Sequence, residues 1–254
     1  MVCLVAVERG RRVLAVDTDS NADLAMALGL GDVPAGRAPL VPRSLVVGPG
    51  RELPPAQLPA DYGRSAPSGV TVLRALRVEQ APSAKVAAAR PPARSLLDAA
   101  LDQEADLSLI DMEAGLEHVG KCGGTLARAD VLLMVMEPSR SSMRTMGATV
   151  ALARGLGIPR LAGVGNKGSH PDDPAWFAEV CAQHDVPLAG IVPYDPEIVA
   201  ADRIGMRVGV PPGPARAAIE GVVDFLDAPE TQRAALEAQR ARIEARLAQL
   251  GAAV

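Results

Sequence analysis

Aromatic side chains are nearly missing from this chain of 254 residues, in which Phe, Trp and Tyr together make up 2%. Hydrophobic residues still account for 48%, so the core has to be built from Val, Leu, Ile, Ala and Met. Aliphatic runs of this kind suit strands that are buried on both faces, as in parallel α/β sheets. At this length, we expect one large domain rather than two.

Cysteines and long hydrophobic runs are also scarce. Cys3, Cys122 and Cys181 are an odd number at wide spacing, so no disulfide framework follows and we expect a cytoplasmic protein. The apolar run at residues 1–7 is far too short to span a bilayer, and it has neither a basic leader nor a small-residue cleavage site. We therefore expect no signal peptide and no stable membrane insertion.

Basic charge comes almost entirely from arginine, because Lys85, Lys121 and Lys167 are the only lysines. The 26 basic and 30 acidic side chains leave a net charge of −4. This balance leaves no excess of positive charge of the kind that indicates binding to DNA or RNA. We expect no nucleic-acid partner.

Short apolar runs alternate with stretches of helical character. The predicted strands are residues 12–17, 70–78, 107–111, 131–136, 161–166 and 188–192. The predicted helices are residues 21–28, 93–102, 141–156, 175–184 and 214–226. This alternation predicts an α/β fold with a mostly parallel sheet flanked by helices.

We assign residues 1–228 to one domain and residues 229–254 to a C-terminal helix. Within the domain, residues 31–69 are rich in Pro and Gly and have no sustained period, which predicts an irregular insert. The C-terminal helix carries a row of apolar side chains at roughly helical spacing, namely Leu236, Ile243, Leu247 and Leu250. We expect the helix to pack on the domain through this row, with binding to another protein as the alternative.

Acidic residues follow two of the predicted strands. Asp17 and Asp19 end the first, and Asp111 ends the strand at residues 107–111. In open α/β sheets, ligands bind at the carboxyl ends of the strands. Carboxylates suit Mg²⁺ on a phosphate group, and an acid also orients an attacking water. The competing interpretation is that each acid is a helix cap or a turn residue.

Further residues that suit a nucleotide follow the predicted strands at 107–111 and 161–166. Gly115, shortly after Asp111, allows a close approach of the backbone to a phosphate. Asn166 and Lys167 end the strand at residues 161–166, and the Asn side chain has the paired donor and acceptor that read an adenine edge. The order of these motifs, each after a buried strand, is more specific than any one of them.

These segments resemble a known family. Residues 16–21 resemble the first switch of the MinD/ParA/ArsA class, and residues 110–118 closely resemble the second switch of the carbon monoxide dehydrogenase maturation (CooC) ATPases. Residues 165–167 and 192–195 are similar to the adenine-side segments of that family. The resemblance runs from about residue 9 to about residue 226, and it implies the SIMIBI, or MinD-like, P-loop NTPase fold.

The resemblance implies an ATP- and Mg²⁺-binding ATPase that dimerises around nucleotide and assists a client metalloenzyme in acquiring its metal. Asp19 would position the attacking water, and Asp17 and Asp111 would hold Mg²⁺ through waters. Gly115 would sense the γ-phosphate.

The same resemblance places Asn166, Lys167, Pro193 and Asp195 at the adenine. Two other roles for the fold stay open, a ParA-like partitioning or positioning ATPase and a scaffold without catalytic activity.

One departure from the family concerns the phosphates. No Gly-Lys-Gly-Gly-x-Gly-Lys-Thr loop or strand preceding it occurs before residues 9–17, so the first strand, the backbone cradle and the phosphate lysine of the family are lacking. Residues 4–10 align with the end of the helix that follows this loop in the family, and a start codon assigned too late would explain the difference, with the loop encoded upstream. Alternatively, residues 2–7 form a strand that partly fills the gap. We expect no ATP hydrolysis by these 254 residues.

A second departure concerns the metal. The Cys-x-Cys pair of the family aligns near Lys85 and Ala87, which are not ligands for a soft metal. His118 and Cys122 lie four residues apart, but His118 belongs to the switch pattern and glycines surround Cys122. We therefore expect no replacement metal site there.

Overall fold

The structure, a computed structural model, describes residues 1–19, 23–31, 62–74, 105–112, 129–207 and 209–251. Outside these ranges lie the predicted helix at 93–102, most of the insert, and the residues Lys85, Ala87, Gly115, His118 and Cys122.

The described strands are β1 (Val13–Asp17), β2 (Arg64–Ser65), β3 (Thr71–Arg74), β4 (Leu107–Asp111), β5 (Val131–Met136), β6 (Arg160–Gly168) and β7 (Leu188–Pro193). The described helices are α1 (Val2–Glu8), α2 (Leu24–Ala27), α3 (Arg140–Gly155), α4 (Asp173–Gln183), α5 (Pro196–Arg203), α6 (Pro214–Asp227) and α7 (Pro229–Gly251).

The chain divides into two compact units, each with its own sheet. Unit 1 comprises Met1–Thr125 and Asp195–Pro211, and its strands lie in the order β2-β3-β1-β4. Unit 2 comprises Leu126–Tyr194 and Pro212–Val254, and its strands lie in the order β5-β6-β7. All pairs are parallel except β2 with β3. The predicted α/β fold with mostly parallel strands is therefore confirmed.

Helix α1 decides between the two interpretations of residues 2–7. Four consecutive side chains, Cys3 to Ala6, are buried, and the segment is helical rather than extended. Its end is closed by Gly10, which has a φ of 81° and donates to the Val7 carbonyl, while Arg11 N–H donates to the Ala6 carbonyl. This pair of bonds around a left-handed glycine is a Schellman motif. The strand alternative for these residues is wrong.

Two short elements differ from the expectations. Strand β2 and the turn at residues 66–69 form a hairpin with β3, although they fall in the segment predicted to be irregular. Gly69, with a φ of 86°, permits this turn. Helix α5 was not predicted, although Asp195 followed by Pro196 is a good helix start.

In unit 2, glycines on β6 allow α4 to pack closely. A Cβ atom on Gly165 would lie 2.8 Å from the Phe177 ring, and one on Gly163 would lie 2.5 Å from Cys181 Sγ. Phe177 and Cys181 are both buried. This close packing fixes strand β6, which carries Asn166 at its end.

Strands β4 and β5 each lie at one edge of their sheet. β4 pairs with β1 on one side, and its other side meets no strand in the described part of unit 1. β5 pairs with β6 and is likewise an edge strand within the described part of unit 2. Val135 on β5 is 65% exposed.

Helix α7 packs through a different face from the one predicted. Leu236, Ile243 and Leu247 are 57%, 53% and 62% exposed, so the expected packing through this row is wrong. Thr231 is buried instead, and Arg242 pairs with Asp130 at 2.7 Å. No helix in the described ranges is long and apolar enough to cross a membrane.

Candidate functional site

Asp17 and Asp111 lie opposite each other at the carboxyl ends of two adjacent parallel strands. The register between β1 and β4 pairs Val13 with Leu107 and ends on Asp17 with Asp111. Thr18 ties the two ends together, because its N–H and its hydroxyl donate to the Asp111 carbonyl oxygen at 3.0 and 2.6 Å. The structure therefore brings together the two acids that the sequence predicts as magnesium residues.

The Asp17 carboxylate is buried, and only one of its two oxygens accepts a hydrogen bond from the described residues. Its Oδ1 accepts from the Asp19 N–H at 3.2 Å, whereas its Oδ2 is buried with no hydrogen-bond partner among the described residues. Burial raises the pKa of Asp17, and the charge of Asp111 adds to this. A buried carboxylate oxygen without a partner is costly, and a cation or a water held by a cation would satisfy it.

Asp111 is more exposed than Asp17, but its pKa is raised as well. Partial desolvation raises its pKa, followed by the charge of Asp19, and Asp23 acts in the same direction. Asp111 thus lies close enough to two further acids for their charges to disfavour its own charged form, which is an arrangement that a divalent cation relieves.

The described residues contain no group of three or more His, Cys, Asp or Glu side chains in metal-binding geometry. A cage made only of protein ligands is therefore not seen in these ranges. The pair of acids instead fits Mg²⁺, which usually keeps several waters and takes only one or two carboxylates from the protein.

In unit 2, the end of β6 is irregular at the predicted adenine residues. Asn166 pairs with Val192, but the register shifts before Gly168, which pairs with Pro193. Lys167 lies between them with a φ of 58°, a left-handed conformation that is uncommon for a residue with a side chain. The bulge therefore lies directly after Asn166, which still pairs in register with the residues before it.

Lys167 is held by an acid that was not among the predicted site residues. Its Nζ atom lies 2.5 Å from Glu137 Oε1, and Glu137 directly follows strand β5. The signal was available, because Glu137 is one more acid at the end of a buried strand.

Asp195 has a clear local role. Its Oδ1 accepts from the Glu197 and Ile198 N–H groups at 2.8 and 3.4 Å and so caps helix α5. The helix-cap interpretation, which competes with a nucleotide role at every strand-end acid, therefore accounts for this residue's hydrogen bonds.

Known proteins resemble most of the chain. The carbon monoxide dehydrogenase accessory protein CooC of Rhodospirillum rubrum is 33% identical over 226 residues, 81% of each chain. An uncharacterised ATP-binding protein of Methanocaldococcus jannaschii is 26% identical over 219 residues, 80% of this chain and 82% of its own. The septum site-determining protein MinD of Pyrococcus horikoshii, solved with Mg-ADP, superposes with a TM-score of 0.65 at 21% identity, covering 89% of this chain and 87% of its own.

No family model matches the chain. The fold is that of the MinD/ParA-like class of P-loop NTPases. Within this class, the chain belongs to the family of the carbon monoxide dehydrogenase accessory protein CooC. The resemblance seen in the strand-end motifs is thus confirmed.

Proposed function

We propose that this protein is an ATP-binding MinD/ParA-like protein that assists the maturation of a metalloenzyme of the carbon monoxide dehydrogenase type. The observation that carries the proposal is the pairing of Asp17 with Asp111 in register, with one buried Asp17 oxygen left without a partner among the described residues. The relationship to CooC supports the client class.

Asp17 and Asp111 would hold Mg²⁺ through waters. The ion would neutralise charge on a nucleotide's phosphates. The raised pKa values of both carboxyls support this assignment, because both groups gain from a nearby cation. Asp19, whose N–H already bonds to Asp17, would position the attacking water. By its place after Asp111 in the sequence, Gly115 would approach the γ-phosphate.

The adenine would contact Asn166 and Lys167 at the end of β6 and Pro193 at the end of β7. On the adjacent parallel strands β6 and β7, Asn166 pairs with Val192 and Gly168 pairs with Pro193. This pairing supports a common binding edge for Asn166, Lys167 and Pro193. Asp195 is assigned to the same segment by family resemblance, in addition to its role as a helix cap.

The 254 residues contain no Gly-Lys-Gly-Gly-x-Gly-Lys-Thr loop, the element that cradles phosphates in this class. We therefore expect no measurable ATP hydrolysis by these residues alone. Dimerisation linked to nucleotide would depend on the same loop. The sequence near Lys85 and Ala87 has no Cys-x-Cys pair, so the proposal concerns maturation without assigning a metal to this chain. Widely spaced cysteines support a cytoplasmic location.

The proposal is tested by activation of a client. An apo carbon monoxide dehydrogenase would be incubated with ATP, Mg²⁺ and nickel, together with a chain carrying the loop segment of Rhodospirillum rubrum CooC at its N-terminus. We expect activation to be stimulated by this chain and lost with Asp17→Asn. The variant Asp202→Asn, at an exposed position on α5, is the matched control.

Stimulation that is equal with and without ATP, or equal for Asp17→Asn, would favour the scaffold role. No stimulation despite ATP binding would remove the client assignment and leave the nucleotide site in place.

A further inference from the structure

Helix α7 is attached to unit 2 by one face only. Thr231 is buried and Arg242 pairs with Asp130, whereas the larger apolar side chains are elsewhere. The half-buried residues on the attached face are small, namely Ala234, Ala235 and Ala238. At the start of the helix, Gln232 Nε2 donates to the Leu226 carbonyl at 2.6 Å. The orientation of the helix about its own axis is therefore defined.

The opposite face carries an apolar row, formed by Leu236, Ile243 and Leu247, which we call the α7 stripe. The steps of seven and four residues place these side chains within about 40° of one another around a helix with ~100° per residue. All three are more than half exposed. Scattered exposed leucines need no explanation, but a row at heptad spacing is typical of a helix seam.

The charged residues beside the α7 stripe distinguish between a parallel and an antiparallel pair of α7 helices. Arg240 and Glu244 lie on the same flank of the stripe, and neither has an ion pair within the described ranges. In a parallel pair of α7 helices, the flank with Arg240 and Glu244 would face the other flank of the second copy, so these two charges would not meet across the seam. In an antiparallel pair with Leu236 opposite Leu247, a two-fold axis passes between residues 241 and 242.

That axis brings Arg240 of each copy next to Glu244 of the other. It also places Ile243 against the aliphatic part of the opposing Arg240 side chain. The apolar and charged contacts therefore occur in the same register, and each contact occurs twice, as an isologous interface requires.

We propose that α7 is a self-association helix, through which two copies of this chain pair antiparallel along the α7 stripe. The pairing needs no nucleotide and does not depend on the function proposed above. The stripe extends over about 16 Å of helix, so the interface is small and the dimer dissociates on dilution.

Analytical ultracentrifugation of the full chain, without nucleotide and over a hundredfold range of concentration, tests the proposal. We expect a reversible monomer–dimer equilibrium that is weakened at least tenfold by Leu236→Ser, Ile243→Ser and Leu247→Ser together. All three positions are exposed, so the fold is retained. The matched control is Ala241→Ser, Ala245→Ser and Ala248→Ser, at exposed positions away from the stripe, which should dimerise like the unchanged chain.

A chain that is monomeric at every concentration would overturn the proposal and leave the stripe to a different protein. A stripe variant that dimerises as well as the unchanged chain would also overturn it.

Crosslinking tests the antiparallel register. Under oxidising conditions, a mixture of Leu236→Cys and Leu247→Cys chains should form a disulfide-linked heterodimer, and Leu236→Cys alone should not exceed the background of the unchanged chain. Efficient crosslinking of Leu236→Cys alone would show a parallel pair and contradict the register. Glu244→Arg should weaken the dimer at least tenfold, and adding Arg240→Glu should restore it. Without that rescue, the assigned ion pair is wrong.

Discussion

Asp17 and Asp111 are register partners at the ends of adjacent parallel strands, and the charge of Asp111 adds to the burial that raises the pKa of Asp17. Asp17 is buried, yet one of its carboxylate oxygens has no hydrogen-bond partner in the described part of the chain. An arrangement of this kind destabilises the protein unless a ligand compensates for it. Such local costs are typical of functional sites.

The first prediction concerns pH. Because burial raises the folded-state pKa of Asp17, the native state binds a proton more readily than the unfolded state. Without divalent cations, the contribution of Asp17 should therefore favour folding increasingly as pH falls through the folded pKa towards the unfolded value. Asp17→Asn should remove this dependence and stabilise the protein at pH 7 by about 1–3 kcal/mol. Urea unfolding between pH 7 and pH 4 measures both effects, and a destabilised Asp17→Asn would contradict the account.

The second prediction concerns Mg²⁺. A cation that binds the native pair stabilises it by mass action, with a gain that grows with the logarithm of concentration. Millimolar Mg²⁺ should therefore raise the melting temperature of the unchanged chain, but not that of Asp17→Asn or Asp111→Asn. The exposed substitution Asp202→Asn should leave the response intact. An equal response in all four proteins would indicate a general salt effect.

The third prediction concerns the bulge at Lys167. Its φ of 58° favours glycine, so Lys167→Gly should be more stable than Lys167→Ala by about 1 kcal/mol. The ion pair with Glu137 is half exposed, so Glu137→Gln should cost less than about 1 kcal/mol. Guanidinium unfolding of the three variants compares these values. Equal stability of the Gly and Ala variants would show that Lys167 is not held in a left-handed conformation.

The fourth prediction concerns the packing of α4 on β6. Gly165→Ala would place a Cβ atom 2.8 Å from the Phe177 ring, so we expect a loss of about 1–3 kcal/mol. Gly155→Ala is the control, since nothing lies within 4 Å of its Cβ position at the end of α3. The control should be neutral or slightly stabilising because alanine favours helix. Thermal unfolding of both variants measures these changes in stability. A Gly165→Ala variant as stable as the unchanged chain would contradict the close packing of α4 on β6.

The strand-end acids were accessible from the sequence because a buried parallel strand is a continuous apolar run, and its end is marked by the first polar residue. Val13 to Asp17 and Leu107 to Asp111 both have this form, and parallel pairing then places their ends together. Helix α1 was not accessible in the same way, because a short apolar run does not distinguish helix from strand. The left-handed backbone conformation of Lys167 could not be predicted from the sequence either, because lysine gives no sign of a positive φ.

Helix α7 shows a different limit. Its spacing of Leu236, Ile243 and Leu247 correctly indicates one apolar face, but spacing does not reveal what covers that face. In the structure, the small face with Ala234 and Ala238 lies against unit 2 and the leucine face is exposed. The difference arises because alanines permit closer packing, and because Arg242 finds a partner in Asp130.

The central claim is that Asp17 and Asp111 form the magnesium half of an ATP site whose phosphate loop is not among these 254 residues. Its most direct test is Mg²⁺-dependent ATP hydrolysis, measured side by side for the 254-residue chain and for the chain extended with the CooC loop segment. We expect turnover only from the extended chain, and we expect Asp17→Asn to abolish it. Robust turnover by the 254-residue chain, or full turnover by the extended Asp17→Asn variant, would contradict the account.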